Sequence, residues 1–181
     1  MSTTMTVINY PRHFAYLGLG AIVVFAVLRL QAESIFLPLN GFLHAAAVVC
    51  ALRGAASWLR RALFAATAPA LSFTAFYAVT ILPSAAAPSV GFCLASVIGA
   101  ASYWCLVRVF WIHKLTIISF LSAVGLCAAV TLLWNLTFRH SLIFAIKPLI
   151  MTIHTLSWWL AFSFSLYLSE RVQNTDPLQR L

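Results

Sequence analysis

Residues 141–169, SLIFAIKPLIMTIHTLSWWLAFSFSLYLS, form the longest apolar run in this 181-residue chain and decide its fold class. A transmembrane helix needs about 20 predominantly apolar residues, and this run exceeds that length with room for tilt. It is also too long and too apolar for an ordinary helix in the core of a soluble domain. The run therefore predicts a membrane-spanning helix, which we place at residues 142–168.

One face of this predicted helix carries polar side chains. Lys147, Met151, His154 and Trp158 follow one another at steps of four, three and four residues, so they share a face at 3.6 residues per turn. An ionisable group in the hydrocarbon costs from about 3 to more than 10 kcal/mol. Lys147 and His154 are therefore expected to face other helices, a polar cavity or the membrane interface.

The composition of the whole chain indicates a membrane protein with a single domain. Hydrophobic residues make up 63% of the chain and charged residues 8%, whereas roughly a quarter of the residues in soluble domains are charged. Each membrane pass takes about 20 residues, which leaves too few for a second domain. We predict one integral membrane domain over residues 1–181, built as an all-α bundle.

Six apolar segments follow one another along the chain with short connections. They predict transmembrane helices at residues 14–31, 35–52, 62–82, 90–112, 115–136 and 142–168, with polar tails at residues 1–13 and 169–181. Pro11 is expected to stop any earlier helix, and Pro38 is expected in the first turn of the second helix. That second segment is the weakest, because it contains Asn40 and His44, and a re-entrant segment is the alternative.

The basic residues predict the orientation of the bundle. With six passes, eight of them fall on the side of the two termini and two fall on the other side. The larger set is Arg12, Arg53, Arg60, Arg61, Arg108, Lys114, Arg171 and Arg180, and the smaller set is Arg29 and Arg139. Cytoplasmic loops are enriched in Lys and Arg, so this bias predicts a bacterial inner-membrane protein with both termini in the cytoplasm. Five passes would scatter the charges over both sides.

The net charge of +8 and the short loops predict the partners. In a membrane chain such a charge is expected to meet anionic lipids, not nucleic acid. Aromatic and basic side chains near the helix ends are expected to act as interface anchors. These are Trp104, Arg108, Trp111, Lys114, Trp134 and Arg139. Because little surface remains outside the bilayer, the other expected partners are membrane subunits or further copies of the chain.

The acidic residues limit the chemistry that the chain can perform. Glu33, Glu170 and Asp176 are its only acids, and they lie at predicted helix ends or in the tail. Calcium, magnesium and di-iron sites, and aspartyl intramembrane proteases, need carboxylates that the predicted core lacks. Ser157 and His154 lie three residues apart, but no G-x-S-x-G elbow or orienting acid accompanies them. The four cysteines occur singly, without a C-x-x-C pair. We therefore expect no catalytic residues, no metal and no cofactor.

The remaining polar residues allow more than one interpretation. In the first interpretation, polar side chains form a basic cavity lining that suits an anion, a lipid head group or a polar solute. These side chains are Lys147, His154, His44, Asn40 and Thr152. In the second, Lys147 reaches the interface and His154 bonds to a neighbouring carbonyl. The sequence thus predicts a non-enzymatic subunit of a membrane complex or a small transport-related component. The alternative is an electron-transfer subunit with haem b held by His44 and His154, although their predicted depths differ by roughly 6 Å.

Overall fold

The structure is a computed structural model, and it describes residues 7–30, 33–53, 57–81, 88–111, 116–138 and 147–175. Within these ranges the chain forms six helices and one pair of two-residue strands. The helices are α1 (Tyr10–Arg29), α2 (Glu33–Ala51), α3 (Trp58–Ile81), α4 (Pro88–Phe110), α5 (Ile117–Phe138) and α6 (Lys147–Thr175), and the strands are β1 (Val7–Ile8) and β2 (Leu52–Arg53). The predicted helical class is confirmed, with the addition of the short strand pair.

Four of the described helices are long and apolar enough to cross a membrane. The segments are Tyr10–Arg29, Val90–Phe110, Ile117–Thr137 and Lys147–Leu168. Helix α2 adds a shorter apolar stretch, Pro38–Ala51. These lengths and compositions are compatible with an integral membrane helical bundle. The six crossings of the sequence analysis stay a prediction.

The six helices pack in chain order as a closed ring. Each helix contacts the next one along the chain, and α6 returns to contact α1. Strand β1, which precedes α1, pairs antiparallel with β2, which follows α2, so that Ile8 lies opposite Leu52. At the closure of the ring, His13 near the start of α1 bonds to Ser163 in the second half of α6. Both contacts bring the start of α1 next to the last part of a neighbouring helix. Helix α1 therefore runs antiparallel to α2 and to α6.

One end of the ring collects basic side chains, and we call it the basic end. Arg61 at the start of α3 donates a hydrogen bond to the carbonyl of Val49 near the end of α2, at 3.4 Å. Arg60 donates to the carbonyl of Val109 near the end of α4, at 3.3 Å. The described arginine side chains at this end are Arg12, Arg60, Arg61 and Arg108, whereas Arg29 lies at the other end. The up-and-down order of the helices thus separates the described basic side chains by end.

The helix boundaries differ from the sequence predictions at both prolines and at the last helix. Helix α1 begins at Tyr10, four residues before the predicted start, and Pro11 lies in its first turn, where a backbone N–H needs no helical partner. Pro38 lies inside α2 instead of in its first turn, because that helix begins at Glu33. Helix α6 continues to Thr175, seven residues beyond the predicted end. Residues 142–146 lie outside the described ranges.

Candidate functional site: a buried histidine centre

Two buried histidines from different helices lie close together inside the ring. His13 comes from the first turns of α1 and His44 from the middle of α2, and their ring centroids are 6.1 Å apart. Only 1% of His13 and 2% of His44 is exposed. Histidine is seldom buried this completely without polar partners, so the surroundings of the two rings decide what they can do.

The polar atoms around these rings are only partly hydrogen-bonded. The Nε2 atom of His13 shares a hydrogen bond with the hydroxyl of Ser163 at 2.8 Å. Within the described part of the chain, His13 Nδ1, His44 Nε2 and the hydroxyl of Tyr103 are buried without a hydrogen-bond partner of normal geometry. The imidazole of His13 also interacts with the backbone of Ala47, but this contact falls short of such a hydrogen bond. The Tyr103 ring stacks on His44 at a centroid distance of 4.6 Å. We call His13, His44, Tyr103 and Ser163 the histidine centre.

Aromatic rings from α6 hold His44 in place. Trp159 lies parallel to the imidazole, with an interplanar angle of 3° and a centroid distance of 5.7 Å. Trp158 and Phe162 meet the imidazole edge-on, at 6.1 and 5.7 Å. On its other side Trp159 contacts α1 at Gly20, where an added Cβ would lie 3.1 Å from the indole Cζ3 atom. Gly20 therefore sets the close approach of α1 that keeps Trp159 against His44.

The periodicity of α1 and α6 explains why these side chains face inward. In α1, His13, Leu17, Gly20 and Val24 are all buried and recur at steps of four, three and four. In α6 four of the most buried residues lie on one face of the helix, the last three of them three, four and seven positions after the first, and they are Trp159, Phe162, Ser163 and Leu166. His13 and Ser163 thus lie on the apolar stripes of their helices, where burial of the neighbouring side chains places them inside the ring.

The chemistry of the histidine centre is that of neutral hydrogen bonding. A neutral imidazole has one donor and one acceptor nitrogen, and a phenol or serine hydroxyl can serve as either. Burying a polar atom without a partner costs about 1–3 kcal/mol, so three such atoms in one place are expensive. A small polar molecule or water that donates to one nitrogen and accepts from another group would satisfy them.

No protein-family model, no curated protein and no solved structure matches the chain. The assignment of function therefore rests on the geometry of the molecule.

A second partly buried polar group lies nearer the basic end. Tyr10 packs edge-on against Tyr167 of α6, with ring centroids 5.1 Å apart. Glu170 follows on α6, and burial raises the pKa of its carboxyl group to about 7, while interaction with the Tyr10 hydroxyl opposes this rise. That interaction falls short of a hydrogen bond of normal geometry, since the buried Tyr10 hydroxyl has no such partner among the described residues.

The predicted haem ligands lie in different surroundings. His44 belongs to the histidine centre, whereas the Nε2 atom of His154 lies 3.4 Å from the hydroxyl of Thr131, and its ring lies 5.9 Å from that of Trp134. Among the described ring contacts, none joins His44 to His154. Because Tyr103 and Trp159 stack against His44, this arrangement does not fit a haem shared by the two histidines. Haem binding by His44 and His154 stays a prediction.

The other predicted cavity residues are not gathered around the histidine centre. Thr152 is buried, but its hydroxyl donates to the carbonyl of Pro148 in its own helix at 2.7 Å. Asn40 is half-buried one turn before His44. Lys147 is half-buried at the first described residue of α6, at the end of the ring opposite the basic end.

Two of the predicted interface anchors are buried between helices, whereas Arg108 is exposed. Trp104 and Trp111 are both buried, with the guanidinium of Arg108 5.3 Å from the ring of the first and that of Arg60 5.4 Å from the ring of the second. Trp134 is half-buried beside His154. Lys114 and Arg139 lie outside the described residues.

Sequence reasoning missed three members of the histidine centre. The sequence analysis placed His13 in a polar tail and did not single out Ser163 or Tyr103. A signal for His13 was present, because Pro11 is typical of a helix start and the spacing of His13 from Leu17 continues the apolar stripe. For Tyr103 and Ser163 the sequence carries no comparable signal, since a tyrosine or serine in an apolar helix most often packs without a site.

Proposed function

We propose that the protein is a non-enzymatic, transport-related component of a bacterial inner membrane, whose histidine centre binds a small polar solute inside the helical ring. The observation that carries this proposal is a set of three buried polar atoms, on His13, His44 and Tyr103, that have no hydrogen-bond partner among the described residues. Membrane helices bury few polar groups, and those that do not stabilise the fold commonly mark the path or binding site of a solute.

The nature of the polar groups indicates the class of solute. Imidazole, phenol and hydroxyl groups are neutral donors and acceptors, and none of the three acids in the chain belongs to the histidine centre. The solute is therefore a small, uncharged or weakly charged molecule that both donates and accepts hydrogen bonds. Two imidazoles 6.1 Å apart are close enough for one small molecule to bridge them.

The proposed orientation places the basic end of the ring in the cytoplasm. Arg12, Arg60, Arg61 and Arg108 gather there, as the enrichment of basic residues in cytoplasmic loops requires. Reporter enzymes fused after Arg61, Lys114 and the last residue test this orientation. All three fusions should be active only with a cytoplasmic reporter, and activity of a periplasmic reporter after Arg61 would contradict the proposal.

A thermal-shift screen of the purified protein tests the binding function. The panel contains small polar solutes such as amides, polyols, amino acids and inorganic anions. A ligand that binds only the folded state stabilises it by about 2.7 kcal/mol at 100 times its dissociation constant. At least one solute class should raise the melting temperature of the wild type and of His154→Phe, but not of His44→Phe. The same shift in all three proteins would show that the solute binds elsewhere, and no shift with any solute class would contradict the proposal.

The His154→Phe variant is the matched control in this screen. Both substitutions replace a partly or fully buried histidine with an aromatic ring of similar shape, and only His44 belongs to the histidine centre. Phenylalanine also keeps the stacking on Tyr103 and Trp159, so the fold of His44→Phe should be retained.

A further inference from the structure

A cleft lies between the end of α4 and the start of α5, at the basic end of the ring. Its volume is about 440 Å³. We call it the interfacial cleft, and its lining residues are Trp104, Arg108, Thr116, Ile117 and Phe120. Apolar side chains form most of this lining, and one arginine and one hydroxyl supply its polar groups.

The arginine in the cleft has no acidic partner within the described part of the chain. Its guanidinium lies 5.3 Å from the centroid of the Trp104 ring, and the side chain is exposed. The chain carries eleven basic residues and three acidic ones, so most of its cations must find their anions outside the protein. In a bilayer the abundant anion at helix ends is the phosphate of a phospholipid.

The hydroxyl and the rings of the cleft are held in fixed positions. The indole N–H of Trp104 donates to the hydroxyl of Ser119 at 3.1 Å, and that hydroxyl donates to the carbonyl of Thr116 at 2.7 Å. Thr116 Oγ1 accepts a hydrogen bond from the backbone N–H of Ser119 at 3.3 Å, which leaves its own O–H proton to donate. Phe120 packs edge-on against Trp104 at 5.2 Å.

The apolar side of the cleft continues onto the outer surface of α5. Ile117 is 68% exposed, and Ile118 and Leu121 beside it are exposed to a similar extent. Such a surface on a membrane helix is the natural place for an acyl chain. The cleft therefore joins a cation, a hydroxyl donor and an apolar track in the order in which a phospholipid presents its phosphate and its chains.

We propose that the interfacial cleft binds one anionic phospholipid, with the phosphate held by Arg108 and Thr116 and an acyl chain lying along Ile117 and Phe120. Arginine is suited to this role because its planar guanidinium donates two parallel hydrogen bonds to phosphate oxygens. The proposal is independent of the histidine centre, which lies deeper in the ring.

Native mass spectrometry of the delipidated protein with added phosphatidylglycerol tests this site. The wild type should retain one lipid more tightly than the rest, and Arg108→Gln should weaken its binding about fivefold, as expected for one cation near a charged lipid surface. Arg12→Gln is the matched control, because Arg12 is also exposed at the basic end and does not line the cleft. Arg108→Lys should restore part of the affinity, since it keeps the charge and loses the two-pronged geometry.

Two further measurements distinguish a lipid site from other sources of binding. Inorganic phosphate at the same concentration should not displace the tight lipid, because it lacks the acyl chain. A photoreactive phosphatidylglycerol bound to the wild type should label the peptides that contain Trp104 and Phe120. Equal weakening in Arg108→Gln and Arg12→Gln, displacement by inorganic phosphate, or labelling spread evenly over the helices would each overturn the proposal.

Discussion

Two polar regions lie between the helices of this protein, and each includes a residue of α6. They differ in how completely their side chains are hydrogen-bonded. The first consists of Ser96, Cys127 and Trp158, which we call the serine–tryptophan network. The indole N–H of Trp158 donates to the Ser96 hydroxyl at 2.8 Å, that hydroxyl donates to the Cys127 carbonyl at 3.0 Å, and the Cys127 thiol lies 3.9 Å from the Trp158 carbonyl. The second region is the histidine centre, in which three polar atoms have no hydrogen-bond partner within the described ranges.

The two regions differ in what their hydrogen bonds contribute to stability. The network joins α4, α5 and α6, and its hydrogen bonds stabilise the packing of these helices. Among the described side chains, the histidine centre makes the hydrogen bond between His13 and Ser163, and buried polar atoms that lack such a bond reduce stability. A polar group that costs stability and is nevertheless buried is explained if it binds something that the fold itself does not supply.

Removing the hydroxyl of Ser96 should have the largest effect on stability. Ser96→Ala leaves the indole N–H of the half-buried Trp158 without its acceptor, so the free energy of unfolding should fall by about 1–2 kcal/mol. Unfolding in mixed detergent micelles measures this change. Trp158→Phe combined with Ser96→Ala should cost less than the sum of the two single changes, because the pair no longer leaves a donor unpaired. Additive losses would show that the network does not act as a unit.

The carboxyl group of Glu170 should make stability depend on pH. Its pKa is raised from 4.5 to about 7 in the folded protein. Folding therefore favours the protonated form, and the resulting stabilisation is complete below about pH 4.5 and is lost as the pH rises to 7 and above. Because the group is partly solvated, we expect a loss on the order of 1 kcal/mol between pH 4.5 and pH 8.

Glu170→Gln should remove this pH dependence. Unfolding at several pH values measures the wild type and the variant. A wild type that becomes more stable between pH 4.5 and pH 8, by an amount that Glu170→Gln abolishes, would contradict the raised pKa.

Removing the hydroxyl of Tyr103 should not lower the free energy of unfolding, in contrast to the change at Ser96. Tyr103→Phe deletes one buried oxygen, as Ser96→Ala does, but this oxygen has no partner within the described residues. Stability should stay constant or rise by up to about 1 kcal/mol, while the stabilisation by solute should weaken. The same unfolding assay measures the first effect. A loss as large as that of Ser96→Ala would show that the hydroxyl is hydrogen-bonded in the folded protein.

A change at Lys147 should have the smallest effect. The side chain is half-buried at the end of the ring opposite the basic end and does not belong to the histidine centre. Lys147→Leu should therefore keep the stabilisation by solute. Loss of that stabilisation in a folded Lys147→Leu protein would favour instead the basic cavity lining that the sequence predicts.

The helices were predictable from the sequence because a long apolar segment can adopt few structures other than a helix. The run in residues 142–168 and its counterparts predicted the helical class, and helices recur near each predicted segment. Boundaries at Pro11 and Pro38 were less predictable, because a proline is compatible with a helix start as well as a helix end. The sequence alone does not show whether packing against neighbouring helices places each of these prolines inside a helix or at its end.

The histidine centre was predictable only in part. His44 is predicted from the sequence as a polar residue inside an apolar helix, and only the alternative haem prediction pairs it with His154. Which two histidines meet depends on the rotation of α1 and α6 and on the close approach at Gly20. These features follow from contacts between distant parts of the chain, and the short-range periodicity of one helix does not contain them.

The most direct test of the account is an experimental structure of the protein in lipid nanodiscs, at a resolution that shows ordered water. We expect density for a solute or water within hydrogen-bonding distance of His13 Nδ1 and His44 Nε2, while the serine–tryptophan network is complete without added molecules. Direct hydrogen bonds from both nitrogens to protein groups, with no bound molecule between the rings, would contradict the claim that the histidine centre is a binding site.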